Sequence, residues 1–211
     1  TCQKIFKMKK TILSLTVLSV LFVSISCKKE VKTDKPNSEF TYALDSSTAT
    51  IGWTAYKTTD KLPVKGEFKD LNLKIGKSSD NQIEVINSTE FNIPVSSIFS
   101  NNDDRDSKLK QFFFGAMKNT TALTGTLDVK EDKTGILTVT MNGVSNQVPI
   151  TYTLENNVFT LTGTMDLKNW DGQKAIASIN KACFDLHKGA DGVSKTWDDV
   201  QIDASINLIK K

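Results

Sequence analysis

Residues 200–208 read VQIDASINL, and the fold turns on them. Val200, Ile202, Ala204, Ile206 and Leu208 alternate with Gln201, Asp203, Ser205 and Asn207. Strict period-2 alternation places every apolar side chain on one face of a strand and every polar one on the other. The same pattern recurs upstream. Phe159, Leu161, Gly163, Met165 and Leu167 alternate with Thr160, Thr162, Thr164 and Asp166, and Ala49, Ile51, Trp53 and Ala55 form a third run. Residues 83–93, 123–129, 137–141 and 148–154 read as further strands. In residues 64–75 the phase changes between Phe68 and Leu71, which predicts a bulge.

Turn residues separate the runs at Lys133-Thr134-Gly135, Asn142-Gly143 and Glu155-Asn156-Asn157. These types tolerate positive φ and predict hairpins. Two segments depart from the alternation. Leu109, Phe112 and Phe113 within 105–117, and Ile176, Ile179 and Cys183 within 174–183, fall at helical spacing and predict one short helix each. Successive antiparallel strands with polar outer faces bury their edges most economically by closing. The expected fold class is therefore all-β, an antiparallel barrel with one or two short helices.

The chain before the strands has a different character. Residues 8–27 read MKKTILSLTVLSVLFVSISC: two lysines, an apolar run, then small residues before Cys27. That is the order of a secretory signal, and the run is shorter than the about 20 apolar residues a spanning helix needs. A cysteine directly after the small residues resembles the lipobox of bacterial lipoproteins, in which the thiol is acylated and becomes the mature N-terminus. The expected organisation is an upstream extension (1–7), a lipoprotein signal peptide (8–26), a flexible tether with lipidated Cys27 (27–38) and a β-domain (39–211). Residues 28–37, KKEVKTDKPN, carry too little apolar surface to fold.

Charge and cysteine content narrow the function classes. The chain has a formal net charge of +3, and residues 1–26 contribute four lysines and no acid, so processing leaves about −1. A nearly neutral chain with interspersed charges lacks the clustered basic face that nucleic-acid binding requires. Loss of Cys2 and acylation of Cys27 leave Cys183 without a partner, and Ala182-Cys183-Phe184 reads as buried apolar chain. The single histidine, His187, has no companion at metal-ligand spacing, and there is no G-x-S-x-G elbow. Asp103, Asp104 and Asp106 lack calcium-loop spacing. No catalytic residue, metal or cofactor is expected.

Several segments, in order, resemble the YceI-like domain family. Tyr42-Ala43-Leu44-Asp45-Ser46-Ser47-Thr48, then Trp53, then Val64-Lys65-Gly66-Glu67-Phe68 resemble its opening Asp-Ser turn and V-x-G-x-F strand. Residues 102–113, NDDRDSKLKQFF, resemble its R-D-x-H-L-K stretch and Phe pair. Gly125-Thr126-Leu127, Asn142-Gly143-Val144-Ser145 and Trp197-Asp198-Asp199-Val200-Gln201-Ile202 resemble its G-x-L strand, G-V-T turn and closing strand. Lys108 stands where the family has His, and Asn119-Thr120-Thr121 replaces its Tyr-Pro, so no role of that His carries over. Residues 171–192 are longer than a simple hairpin.

The resemblance implies an exported, lipocalin-like, eight-stranded extended barrel whose lumen holds a polyisoprenoid or other lipid chain, with no covalent chemistry. Trp53, Phe68, Phe91, Phe113 and Phe159 are then the candidate lumen residues, although the same side chains would pack a solid core. Arg105 and Asp106 are candidates for a polar head group or for a structural ion pair at the rim. The expected partners are an isoprenoid or other lipid ligand and a membrane, reached through the N-terminal lipid anchor. Lys28 after the acylated cysteine favours the outer membrane of a Gram-negative-type envelope, facing the periplasm. Two other classes stay open: a non-catalytic interaction or adhesion module with a solid core, and a lipid-modifying enzyme.

Overall fold

The structure, a computed structural model, describes residues 40–87 and 89–211. The signal-peptide, Cys27 and tether expectations lie outside the described residues. The order is β1 (Tyr42–Lys57), β2 (Leu62–Phe68), β3 (Asn72–Lys74), α1 (Gln82–Asn87), β4 (Glu90–Pro94), β5 (Ile98–Phe99), α2 (Asp103–Lys108), β6 (Ala122–Val129), β7 (Thr134–Met141), β8 (Val144–Glu155), β9 (Val158–Asp166), α3 (Gln173–Ala182) and β10 (Asp199–Lys210). The ten strands form one curled sheet in the order β3-β4-β6-β7-β8-β9-β10-β1-β2-β5, with every pairing antiparallel.

The expected count of eight strands is therefore corrected to ten among the described residues. β3 is one end of the sheet order and β2 is one strand from the other, yet only residues 69–71 separate them, a step of at most about 14 Å. Residues 95–97 join β4 to β5 in the same way. The sheet must curl until its two ends approach, and the Lys69 N–H donates to the Ser97 carbonyl at 2.9 Å alongside the β2–β5 pair. The phase change at 68–71 is thus a break between strands, not a bulge. A true register irregularity lies in β1, where Asp45 faces Asn207 but Thr50 faces Ser205. There the Asp45 carboxylate accepts from the Ser47 N–H and O–H, folding the extra residues into a turn.

The expected strand over 83–93 is half helix. Val85 and Ile86 are adjacent and both fully buried, which alternation forbids but α1 allows. The Asn81 carboxamide oxygen accepts from the Ile83 N–H at 2.8 Å and starts the turn. Gln82 and Asn87 fix this helix across one end of the sheet: Gln82 donates to Asn157, and Asn87 exchanges hydrogen bonds with the Val129 backbone.

Two of the three expected hairpins fall where the sequence puts them; between β6 and β7 the turn is residues 130–133, with Lys133 at positive φ, and Thr134 and Gly135 already pair within β7. Asn142 and Gly143, and Asn156 and Asn157, all have positive φ and form two-residue turns between β7 and β8 and between β8 and β9. At the end of the sheet opposite α1, α2 continues through a wider turn at Leu109–Phe113 and a tight one at Phe114–Ala116, and α3 packs beside them. Trp170, fully buried, closes this end by donating its indole N–H to the Val139 carbonyl at 2.9 Å.

Candidate functional site

The inner face of the curled sheet is apolar from end to end. Register places Gly135, Ile150, Gly163, Ile202, Trp53 and Gly66 in one row across six strands, so every large side chain in the row has a glycine beside it. Such an arrangement lets side chains fill a narrow interior. The spaces are fully used: a Cβ on Gly163 would stand 2.8 Å from the Ile150 side chain, and one on Gly66 would stand 2.2 Å from the Trp53 ring. A second close pair repeats the device, with Phe91 lying over its register partner Gly125.

The candidate lumen aromatics all lie on or against this interior but do not gather into one pocket. Trp53 is 8% exposed and occupies the middle of β1. Phe159 is buried against Tyr152, with ring centroids 5.2 Å apart, near the α1 end. Phe91, half-buried, sits by Gly125. Phe68 and Phe113 meet only through Phe114, whose ring lies edge-on to both, at 6.5 and 4.9 Å. Phe114 was not singled out in the sequence because its helical turn is irregular and gives no clean period. Its signal was there: three consecutive phenylalanines within a segment expected to be helical cannot all face solvent at no cost.

Arg105 and Asp106 do not form the expected ion pair; no described ion pair joins them. Both hold Ser100 instead. Asp106, 6% exposed, accepts from the Ser100 N–H at 2.9 Å and from its hydroxyl at 2.6 Å, and Arg105 reaches the Ser100 carbonyl at 3.5 Å. Asn102 caps α2 by accepting from the Arg105 N–H. Successive residues on a helix point in different directions, so adjacency in sequence made a shared target easier than a mutual pair. Lys108, in the position of the family histidine, bonds Asp104 one turn back at 2.7 Å, and that hydrogen bond raises its pKa.

Away from the inner face, His187 is part-buried with its Nδ1 2.7 Å from the Thr196 hydroxyl, which itself donates to Asn180. The Thr196 proton is thus committed, and the histidine carries its own on Nδ1. Burial, aided by Lys57, lowers the His187 pKa to about 4. Cys183 is buried, and burial raises its thiol pKa. Among the described residues no group of three or more His, Cys, Asp or Glu could hold a metal.

Two open troughs of about 720 and 750 Å³ lie on the outer face. They meet at Thr151 and Thr162. The first runs along the register row Thr151, Thr162, Asp203, Gly52, Glu67 and Phe99, and its lining is hydroxyl-rich and mixed in charge.

A curled antiparallel sheet with a continuous apolar inner face and helices across both ends defines an all-β half-barrel domain. The sequence profile of the YceI-like domain matches residues 42–208, and the chain belongs to that family. Among solved structures it is similar to a polyisoprenoid-binding domain from Saccharophagus degradans implicated in plant cell wall breakdown, with a TM-score of 0.57 at 12% identity over 82% of this chain and 99% of that one. It is also similar to BcnA of Burkholderia cenocepacia, with a TM-score of 0.52 at 16% identity over 79% and 99% of the two chains. At these identities the likeness is one of fold. No curated protein sequence matches the chain.

Proposed function

We propose that this chain is an exported, lipid-anchored, non-catalytic protein that holds a long isoprenoid or other lipid chain in the lumen of a lipocalin-like barrel, for carriage or sequestration. The observation that carries the reading is the unbroken apolar inner face running from Phe68 and Phe114 through Trp53 and Ile202 to Phe159 and Leu208. The S. degradans neighbour, described as a polyisoprenoid-binding domain, supports the ligand class. Burial of about ten methylene units yields roughly 8 kcal/mol, and immobilisation costs at least ~4 kcal/mol, so only a long chain binds well. To admit one, the side chains that now fill the interior have to move aside. Acylation of Cys27 and the tether after it would keep the barrel beside its lipid source, at the outer membrane facing the periplasm.

Native mass spectrometry and solvent extraction of the purified full-length protein test the reading. A co-purifying lipid, or uptake of an added isoprenoid, is expected; absence of both would remove the carrier function. The hydroxyl-rich outer troughs favour the second reading, a solid-cored interaction module, and a protein that takes up no lipid but captures a partner through Thr162 and Asp203 would establish it.

A further inference from the structure

The chain has three tryptophans, and the indole N–H groups of two are accounted for. Trp170 donates to the Val139 carbonyl at 2.9 Å and Trp197 to the Thr58 carbonyl at 2.8 Å. Trp53 Nε1 is buried and has no acceptor among the described residues. Trp53 is also the one of the three that stands on the wall of the inner face, in register with Ile202 and Gly66. The edge of its ring next to Nε1 is held over Gly66 so closely that no Cβ fits between them, which fixes the direction of the N–H.

A buried donor without a partner is rare and calls for a partner that the folded chain alone does not contain. We infer that Trp53 Nε1 is the polar contact of the lumen, donating to an oxygen on the carried lipid, so that the preferred ligands are isoprenoids bearing a carbonyl or hydroxyl oxygen rather than plain hydrocarbon. The inference rests on the carrier reading and adds a specificity-determining residue to it. The remaining polar side chains considered for a head group, Arg105 and Asp106, are both engaged with Ser100. Trp53 supplies the interior donor that they do not. A single neutral donor suits a quinone carbonyl or an alcohol oxygen; a diphosphate brings charge that one indole cannot balance.

The test uses the full-length chain with 15N-labelled tryptophan and three probes of matched tail length: menaquinone-4, geranylgeraniol and the hydrocarbon phytane. The Trp53 indole signal is the one missing from Trp53→Phe, or, if that variant does not fold, the one showing contacts to Gly66. Menaquinone-4 or geranylgeraniol is expected to move that signal downfield and leave the other two in place, and phytane to leave all three. Trp53→Phe is expected to weaken binding of the oxygenated probes about three- to tenfold more than it weakens binding of phytane, the range for one net hydrogen bond. Oxygenated probes that bind without moving the signal, or a variant that weakens all three probes alike, overturn the inference and leave the carrier reading standing. If no probe binds the unsubstituted chain, both fail.

Discussion

Trp53 rests on Gly66: the two are register partners on β1 and β2, and a Cβ on the glycine would lie 2.2 Å from Cζ2 of the indole and 2.8 Å from the Phe99 carbonyl. One of those contacts is with backbone, so neither a rotamer change nor a small shift of the ring relieves it. Gly52, on the outer side of the same strand pair, has nothing closer than 3.6 Å at the corresponding position.

Gly66→Ala is therefore expected to cost about 1–3 kcal/mol by overpacking, while Gly52→Ala is expected to be neutral or slightly stabilising. Urea unfolding midpoints of the two variants check this. Equal midpoints would show that the inner face yields more readily than its packing implies.

Asp106→Ala is expected to cost about 2–3 kcal/mol, because it removes charge-assisted bonds to the Ser100 N–H and O–H and leaves part-buried donors unpaired. Asp106→Asn keeps an acceptor and should lose less. Arg105→Ala, whose contact with Ser100 is long at 3.5 Å, should lose under about 1 kcal/mol. Thermal unfolding of the three variants orders them. A larger loss for Arg105→Ala than for Asp106→Ala would mean that the arginine, not the carboxylate, holds the segment.

His187 contributes a pH dependence of definite sign. Its folded-state pKa of about 4 lies below the ordinary value of 6.5, so the unfolded chain takes up the proton first as pH falls. The stability it confers is complete above about pH 6.5 and is lost as pH drops towards 4. After allowance for partial exposure the loss between pH 7 and pH 5 is about 1–2 kcal/mol. His187→Gln should flatten this part of the stability profile. A profile unchanged by the substitution would place the titration elsewhere.

Cys183 is buried with a raised thiol pKa, so a thiol reagent should label it slowly in the native protein and quickly once denaturant opens the fold. Mass spectrometry of a labelling time course measures both rates. Fast native labelling would mean that the segment after α3 opens on its own.

The inner face was legible in the sequence because alternation over β10, β9 and β1 reports burial directly: each second residue had to point inward. Hairpins at Asn142-Gly143 and Asn156-Asn157 were legible for an equally local reason, the need for positive φ. Where two effects share one pattern, sequence reading went astray. In residues 83–87 apolar residues fit a strand period, and only the full burial of neighbouring Val85 and Ile86 reveals a helix. The break at 69–71 was legible as a change of phase, but phase alone does not tell an inserted residue from a strand that ends. Ser100, which unites Arg105 and Asp106, carries no motif, and Trp53 offered no hint that its N–H would be left alone while Trp170 and Trp197 find carbonyls.

The sheet order has a further consequence for how the chain is made. β1, the first described strand, takes β10, the last described one, as one of its two neighbours, and the pairing runs on to mutual hydrogen bonds between Thr41 and Lys211. Until β10 emerges, β1 and β9 each keep an open edge bearing alternate apolar side chains, the surface most prone to pair with another chain. Completion of the sheet is thus withheld until β10 has been made. Loss of even the terminal strand would yield an aggregation-prone fragment instead of a weakened domain.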